Sequence, residues 1–390
     1  MSKLEVDAIE PQSGTTLTLG ASGDSVNLGS GATIKLDGNY PVGTNNIALG
    51  SSALDDGSLT GGCNVAVGTN ALSANTTGYQ NVAMGYQSLY ANTTGVQNVA
   101  VGGYALSSNT SANNNTALGH VALYDNTTGC NNVAVGYNSL CGNTTACNNT
   151  AVGYVSLKAN TTGTSNTAVG QNALTANTTG NNNVAVGRNA LDANTTSGDN
   201  TAIGTFALSA NQTGCRNTSI GNASLQGNTT GICNMAFGGD ALENVTTGSN
   251  NIAIGYISGR DPVASITTGS NNIVMGNNDH TCARIKIAWT VTSDARDKTC
   301  IDVVPHGLCF VNQLNPISFK FKKSRDSNYT TGRKRYGFKA QDILPLEQED
   351  PVIISNDDPE SLKYNESSLI PVLVNAIKEL TEKVELLESK

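Results

Sequence analysis

A short alternation of polar and apolar residues recurs along most of the chain. The unit is Asn-x-Ala-x-Gly, and from Gly68 onwards its glycine returns every 17 residues. In the first regular copy, a period of two places Val65 and Val67 on one face of an extended strand and Ala66 on the other. We expect the valine face to pack a core, and the face of Ala66 and Gly68 to let a neighbouring backbone come close.

Each unit also carries a leucine and, in most copies, an Asn-Thr-Thr-Gly turn. Leu72 begins the leucine series, and Gly78 ends the first turn. Glycine adopts a positive φ at low energetic cost, so it suits the end of such a turn. We expect the asparagines of successive turns to stack on each other between coils. A unit of 17 residues is too short for a helical hairpin repeat of about 34 residues, but it fits one coil of a β-solenoid or β-roll. Looser copies at Asn46–Gly50 and Asn272–Gly276 extend this array to about residues 44–276.

The composition suits such an array better than a conventional enzyme. Charged residues make up 13% and aromatic residues 5% of the chain, whereas an average globular protein has about 25% charged residues. The array shows no paired carboxylates and no Ser-His-Asp pattern, so we predict no cofactor and no metal site there. The nine cysteines include no CxxC pair, which favours reduced residues over a disulfide or zinc framework. Cys130 and Cys147 lie one period apart and could touch, although free thiols in a turn are the simpler interpretation.

The net charge of −8 argues against nucleic acid and against an anionic membrane surface as partners. No apolar run approaches the length of about 18 residues that spans a bilayer. The first residues lack the apolar core of a secretory signal. We therefore expect a soluble protein made in the cytosol, with no nucleic-acid partner and no membrane insertion.

The segment before the array, residues 1–43, contains two strictly alternating stretches, Thr16–Leu19 and Thr33–Leu36. They predict short strands separated by Gly/Ser turns. The opening MSKLEVDAIEPQSGTTLTLGASGD resembles the first residues of tail-fibre proteins of marine bacterial viruses. That resemblance implies a segment that attaches the fibre to other tail proteins, although short strands without a docking role would look the same.

The composition changes abruptly after the array. We predict a linker over residues 277–292 and a second, more highly charged domain over residues 293–390. From about Ser367 a terminal helix is predicted, and its apolar residues form an a/d heptad seam. The seam consists of Leu373, Ile377, Leu380, Val384 and Leu387. Its short length also suits an ordinary amphipathic helix, but we favour a coiled coil in a symmetric oligomer.

The second domain contains four ordered blocks: Ser293–Lys298, Leu314–Phe319, Tyr336–Asp342 and Tyr364–Leu380. In order and spacing, these blocks resemble the intramolecular chaperone domain at the C-terminus of endosialidase tail spikes and many viral fibres. The resemblance implies a small α+β domain that trimerises, guides the folding of the fibre ahead of it, and then cuts itself off before the serine of its first block. Here that bond is Thr292–Ser293. Lys339 departs from the family pattern, which often has an apolar residue there.

The chemistry of this first block can be weighed on its residue types. A serine hydroxyl is a weak nucleophile, and a lysine made neutral by burial can remove its proton. Ser293 and Lys298 are the matching catalytic pair, with cleavage between Thr292 and Ser293. Taken without the other blocks, Lys298 would more commonly belong to a solvated charge cluster. His306 is a further candidate participant, although a lone histidine is more often structural.

Together these features predict a mainly β protein: a homotrimeric β-solenoid followed by a small α+β chaperone domain that ends in a coiled-coil helix. The corresponding function is a virion tail fibre that contacts a host-cell receptor, either glycan or protein. A trimeric surface adhesin is an alternative, because the Asn-x-Ala-x-Gly motif is similar to the head repeats of trimeric autotransporter adhesins. A monomeric ice-binding or scaffold solenoid, or a fibre with an uncleaved trimerisation domain, are further alternatives.

Overall fold

A computed structural model of the protein describes residues 44–260, 265–277, 279–280, 293–322, 325–326, 328–348, 351–356, 359 and 362–389. The predicted attachment segment, most of the predicted linker and Thr292 lie outside the described residues. The array and the C-terminal unit, residues 293–389, are considered separately below.

The described part of the array forms one parallel sheet of fourteen strands, in which each strand pairs with the next along the chain. The strands are β1 Ile47–Leu49, β2 Val65–Val67, β3 Val82–Met84, β4 Val99–Val101, β5 Thr116–Leu118, β6 Val133–Val135, β7 Thr150–Val152, β8 Thr167–Val169, β9 Val184–Val186, β10 Thr201–Ile203, β11 Thr218–Ile220, β12 Met235–Phe237, β13 Ile252–Ile254 and β14 Ile273–Met275. Equivalent residues pair, as Val65 does with Val82 and Ala66 with Ala83. Consecutive parallel strands require the chain to travel round and return between them, so each repeat is one coil. The predicted β-solenoid is confirmed.

The coil length is constant except at the two ends of the array. Motif asparagines such as Asn64 and Asn81 bond across 17 residues. The first coil is one residue longer, since Asn46 and Asn64 are 18 apart, and the last is longer again, since Asn251 and Asn272 are 21 apart. The two looser copies of the motif therefore belong to the same stack.

The inward and outward faces of the strands are the reverse of the prediction. Ala66 is fully buried, whereas Val65 and Val67 are only half-buried, and most other strands repeat this order. A coil of this length has a narrow interior, which holds the methyl group of alanine but has no room for a larger strand residue. The expected close approach of a second backbone is confirmed at Gly68, where an added Cβ would lie 2.6 Å from the carbonyl oxygen of Gly85.

The leucine series supplies the large side chains of the core, as predicted. The fully buried members include Leu72, Leu89, Leu106, Leu123, Leu140, Leu157, Leu174, Leu191, Leu208, Leu225 and Leu242. They pack with the strand alanines in one continuous cluster. Each adopts a left-handed backbone conformation, with φ of 51° at Leu157 for example. This conformation is costly for a bulky residue, and burial of the leucine side chain offsets the cost.

A row of buried motif asparagines runs along the stack. It consists of Asn64, Asn81, Asn98, Asn115, Asn132, Asn149, Asn166, Asn183, Asn200, Asn217, Asn234 and Asn251. Asn149 is typical: its Oδ1 accepts a hydrogen bond from the backbone N–H of Asn166 at 2.9 Å. Its Nδ2 donates to the carbonyl oxygen of Gly163, also at 2.9 Å. Each motif asparagine therefore joins its own coil to the next.

A second buried row is formed by the turn asparagines. It consists of Asn75, Asn92, Asn109, Asn126, Asn143, Asn160, Asn177, Asn194, Asn211 and Asn228. Asn160 donates from Nδ2 to Oδ1 of Asn143 at 3.0 Å, so the predicted stacking of turn asparagines is confirmed. Among the described residues, Oδ1 of Asn228 has no hydrogen-bond partner. The buried Val245 takes the next place in this row, and the row ends there.

The C-terminal unit is a small α+β assembly. In chain order it contains α1 Leu308–Val311, the antiparallel hairpin of β15 Ile317–Lys322 and β16 Thr330–Gly337, α2 Ala340–Glu347, the antiparallel pair β17 Ile354–Ser355 and β18 Lys363–Tyr364, and α3 Leu369–Glu388. Its core consists of Phe310, Ile343, Ile353, Ile354, Leu369 and Val372. In the part of the chain that the structure describes, no helix is long and apolar enough to cross a membrane.

Candidate functional site

A short turn at the start of the C-terminal unit organises the predicted serine–lysine block. Residues Ala295–Asp297 form one turn of 3-10 helix. Asp294 caps it, because its Oδ1 accepts a hydrogen bond from the backbone N–H of Arg296 at 2.9 Å. At the other end the backbone N–H of Lys298 donates to the carbonyl oxygen of Ala295 at 3.2 Å. The turn therefore brings the two ends of the block towards each other.

The serine and lysine side chains meet across this turn. Lys298 Nζ donates a hydrogen bond to Ser293 Oγ at 2.9 Å. This distance lies within the range of about 2.6–3.2 Å over which a base can take a proton from a nucleophile. Both residues are exposed in the single chain. The geometry thus permits proton transfer between Oγ and Nζ, while exclusion of water would need a further covering surface.

Two of the charged residues between them, Asp294 and Arg296, pair with each other. Arg296 and Asp294 form an exposed ion pair in which Nη2 and Oδ2 are 2.6 Å apart. The hydrogen bonds from the Arg296 side chain and backbone hold the pKa of Asp294 below its usual value. The carboxylate in turn raises the pKa of Arg296. The carboxylate of Asp294 thus contacts Arg296, while Nζ of Lys298 contacts the serine.

His306 has a packing role in the structure. Its ring stacks on Phe310 with the centroids 4.3 Å apart, and Phe310 lies in the core of the C-terminal unit. The carbonyl oxygen of His306 accepts a hydrogen bond from Nδ2 of Asn375 at 3.4 Å. The segment that carries His306 is thereby attached to both the core and α3.

The terminal helix is anchored by one face and exposed on another. Asn375 Nδ2 donates to the carbonyl oxygen of Val304 at 3.1 Å, and Glu379 Oε2 accepts from the backbone N–H of Leu308 at 2.9 Å. Gly307 leaves room for this carboxylate, since a side chain there would collide with it. The residues of the predicted seam remain exposed, from 39% at Leu373 to 71% at Leu387.

Glu347 is a buried carboxylate that the sequence did not single out. It lies at the end of α2 and accepts three backbone hydrogen bonds, from the N–H groups of Val352, Ile353 and Ile354 at 2.7, 2.6 and 2.9 Å. It therefore holds the chain that leads into β17. Within the described residues, no group of three or more histidine, cysteine or acidic side chains is arranged to bind a metal ion.

The model of one protein family, described as the chaperone of endosialidase, matches residues 293–349. The C-terminal unit contains an endosialidase-type chaperone domain. The family match starts at Ser293 and includes the serine–lysine turn, the β15–β16 hairpin and α2, while α3 lies beyond it. The family resemblance seen in the sequence is confirmed. No curated protein and no solved structure gives a significant match to the chain.

Proposed function

We propose that the protein is a tail fibre of a bacterial virus, and that its chaperone domain aligns three chains before cutting itself off between Thr292 and Ser293. A stacked array that precedes an endosialidase-type chaperone domain supports this proposal. In the virion the product, residues 1–292, would bind other tail proteins through its N-terminal segment. The array would face a host-cell receptor, glycan or protein.

Trimer formation is supported by two apolar surfaces that the single chain leaves accessible. The first is the seam of α3, which a parallel bundle of three such helices would cover. The second is an outward stripe on the array, formed by the third residue of every strand. The stripe consists of Leu49, Val67, Met84, Val101, Leu118, Val135, Val152, Val169, Val186, Ile203, Ile220, Phe237, Ile254 and Met275. A continuous apolar surface of this length is typical of a protein–protein interface.

Self-cleavage follows the chemistry of a serine–lysine pair. The neutral amine of Lys298 takes the proton of Ser293 Oγ, and Oγ attacks the carbonyl carbon of Thr292. The C–N bond then breaks, the leaving amine regains a proton from Lys298, and water hydrolyses the resulting ester. The same bonds change whether the hydroxyl belongs to the same chain or to a neighbouring one. Burial favours the neutral form of a lysine, so packing of the chains around this exposed turn would link cleavage to assembly.

The observation that carries the proposal is the 2.9 Å contact between Lys298 Nζ and Ser293 Oγ, at the first residue of the matched domain. Intact-mass analysis of the purified protein tests it. We expect the wild-type chain to give a fragment ending at Thr292, and Ser293→Ala and Lys298→Ala to stay full length. Lys320→Ala, which removes an exposed lysine of β15, should cleave like wild type.

The alternative is a chaperone domain that only trimerises, and the exposure of both catalytic candidates in the single chain favours it. An uncut wild-type chain in a correctly assembled trimer would support this alternative and remove the enzymatic part of the proposal. A cut chain that sediments as a monomer would instead contradict the trimeric fibre.

A further inference from the structure

Two cysteines stack directly on each other in the array. Cys130 and Cys147 each follow the last residue of an Asn-Thr-Thr-type turn, one coil apart. Their sulfur atoms are 2.8 Å apart, and the backbone N–H of Cys130 donates to Sγ of Cys147 at 3.0 Å. Both residues are half-buried, so a small solute can reach them.

The backbone at this position is suited to a cross-link. Neighbouring coils are spaced like parallel strands, about 4.8 Å apart, and a disulfide joins Cα atoms about 4.4–6.8 Å apart. The contact with Cys147 and partial burial raise the pKa of Cys130. Oxidation of the pair replaces this contact between two thiols with a covalent disulfide bond.

We propose that Cys130 and Cys147 are a site of covalent modification, at which a disulfide fastens two successive coils of one chain. One thiolate attacks a low-molecular-weight disulfide such as oxidised glutathione, which releases one glutathione and leaves a mixed disulfide. The second thiolate then displaces the other glutathione. Overall, two protein thiols and one oxidised glutathione give one protein disulfide and two reduced glutathione molecules.

The cross-link also depends on the register of the array. The two cysteines meet only when the coil of Cys147 lies directly on that of Cys130, as β7 lies on β6. A chain made with reduced thiols in the cytosol would fold first and become fastened later, after release into an oxidising medium. The inference is independent of the proposed self-cleavage.

The array contains a matched control. Cys215 occupies the same position in its coil, but the neighbouring coils have Gly198 and Ile232 there. It is half-buried like the stacked pair. It therefore offers a thiol of similar accessibility with no thiol at the same position of either neighbouring coil. Cys233 of the next coil meets Cys215 through the backbone, where its N–H donates to the carbonyl oxygen of Cys215 at 3.1 Å.

Serine can replace cysteine at this position without loss of the backbone hydrogen bond. Further along the same row, the backbone N–H of Ser249 donates to Oγ of Ser270 at 2.9 Å. We therefore expect Cys147→Ser to fold and to melt like the reduced wild-type chain.

The test uses the full chain, reduced, freed of reductant and exposed to oxidised glutathione, with remaining thiols then blocked by N-ethylmaleimide. Cleavage after Tyr137 by chymotrypsin separates the two cysteines. We expect a linked peptide pair joining Cys130 to Cys147, formed at least tenfold faster than any other disulfide. Cys141→Ser should retain the link and simplify its assignment, since Cys141 lies between the two.

Cys130→Ser and Cys147→Ser should abolish the linked pair, and Cys215→Ser should leave it unchanged. The proposal is overturned if Cys130 and Cys147 take up N-ethylmaleimide as fully as Cys215 does after oxidation. It is also overturned if they stop at separate glutathione adducts, or if they link only between chains.

Discussion

At the scale of single residues, asparagine allows a very narrow coil to have a polar interior. A chain that turns several times within 17 residues points many backbone N–H and C=O groups inward, away from strand partners. The amide side chain carries two donors and an acceptor, so it can serve its own turn and the next coil at once. Asn160 does so through Asn143, Gly163 and Asn177. Aspartate would lack the two N–H donors, and leucine would lack the donors and the acceptor.

Replacement of one asparagine inside a row is therefore expected to be severe. Asn160→Ala leaves Oδ1 of Asn143 without its donor, and Nδ2 of Asn177 keeps only the carbonyl oxygen of Gly180 as an acceptor. We expect the free energy of unfolding to fall by about 2–4 kcal/mol, measured by urea denaturation of the full chain. Lys158→Ala, an exposed change in the same coil, should stay within about 0.5 kcal/mol. Equal stability of the two variants would refute this role of the row.

The inward or outward direction of the strand residues shows what could and could not be predicted from the sequence. The period of two identifies Val65 and Val67 as sharing a face, but side-chain volume, which depends on the coil's diameter, decides that Ala66 points inward. Glu379 was missed for a different reason. Its partner, the backbone N–H of Leu308, is 71 residues away, and no local pattern signals such a contact.

At the scale of the structural element, the coil is the unit, and its glycine sets how closely coils stack. Gly153 has φ of +134°, and an added Cβ would lie 2.5 Å from the carbonyl oxygen of Gly170 in the next coil. Neither feature tolerates a side chain. The regular spacing of this glycine was sufficient to predict the coil. The serine–lysine contact could be predicted less firmly from the sequence. A separation of five residues permits the contact, but the 3-10 turn capped by Asp294 is what brings the two side chains together.

Gly153→Ala is expected to separate two coils and to lower the free energy of unfolding by more than about 3 kcal/mol. Thermal unfolding followed by circular dichroism would measure it. Gly57→Ala is the matched control, because its added methyl group meets nothing within 4 Å. If the two alanine variants unfold at the same temperature, close approach of the coils is not the reason that this position requires glycine.

At the scale of the whole molecule, the proposed trimer requires three identical, repetitive chains to be aligned before their coils stack. A slip by one coil changes few local contacts but leaves unmatched ends, so an aligning element outside the array solves a kinetic problem. In the proposed trimer, the exposed seam of α3 is that element. The adjoining face of α3 is already used by Leu369, Val372 and Ala376 within the chain. Removal of the chaperone domain, which carries this aligning helix, would leave the assembled fibre kinetically trapped.

A charge placed in the seam should prevent assembly without unfolding the unit. We expect Leu380→Asp to weaken trimer formation at least about 100-fold, because a trimer would bury three unpaired carboxylates. Sedimentation of the Ser293→Ala background, which retains the domain, measures this. Lys378→Asp, an exposed position outside the seam, should leave the trimer intact despite its larger change in charge. A trimeric Leu380→Asp protein would rule out the seam as the contact.

Because the regular coils all have the same length, the number of repeats sets the length of the array. Both asparagine rows, the leucine series and the glycine series advance by one member with every 17 residues. Insertion or removal of one whole repeat therefore preserves the contacts within these four series and changes the length of the array by about 4.8 Å. Unequal recombination between repeats in the gene makes such changes without a misfolded intermediate length. The reach of the molecule can thus evolve in fixed increments while its surface chemistry evolves separately, coil by coil.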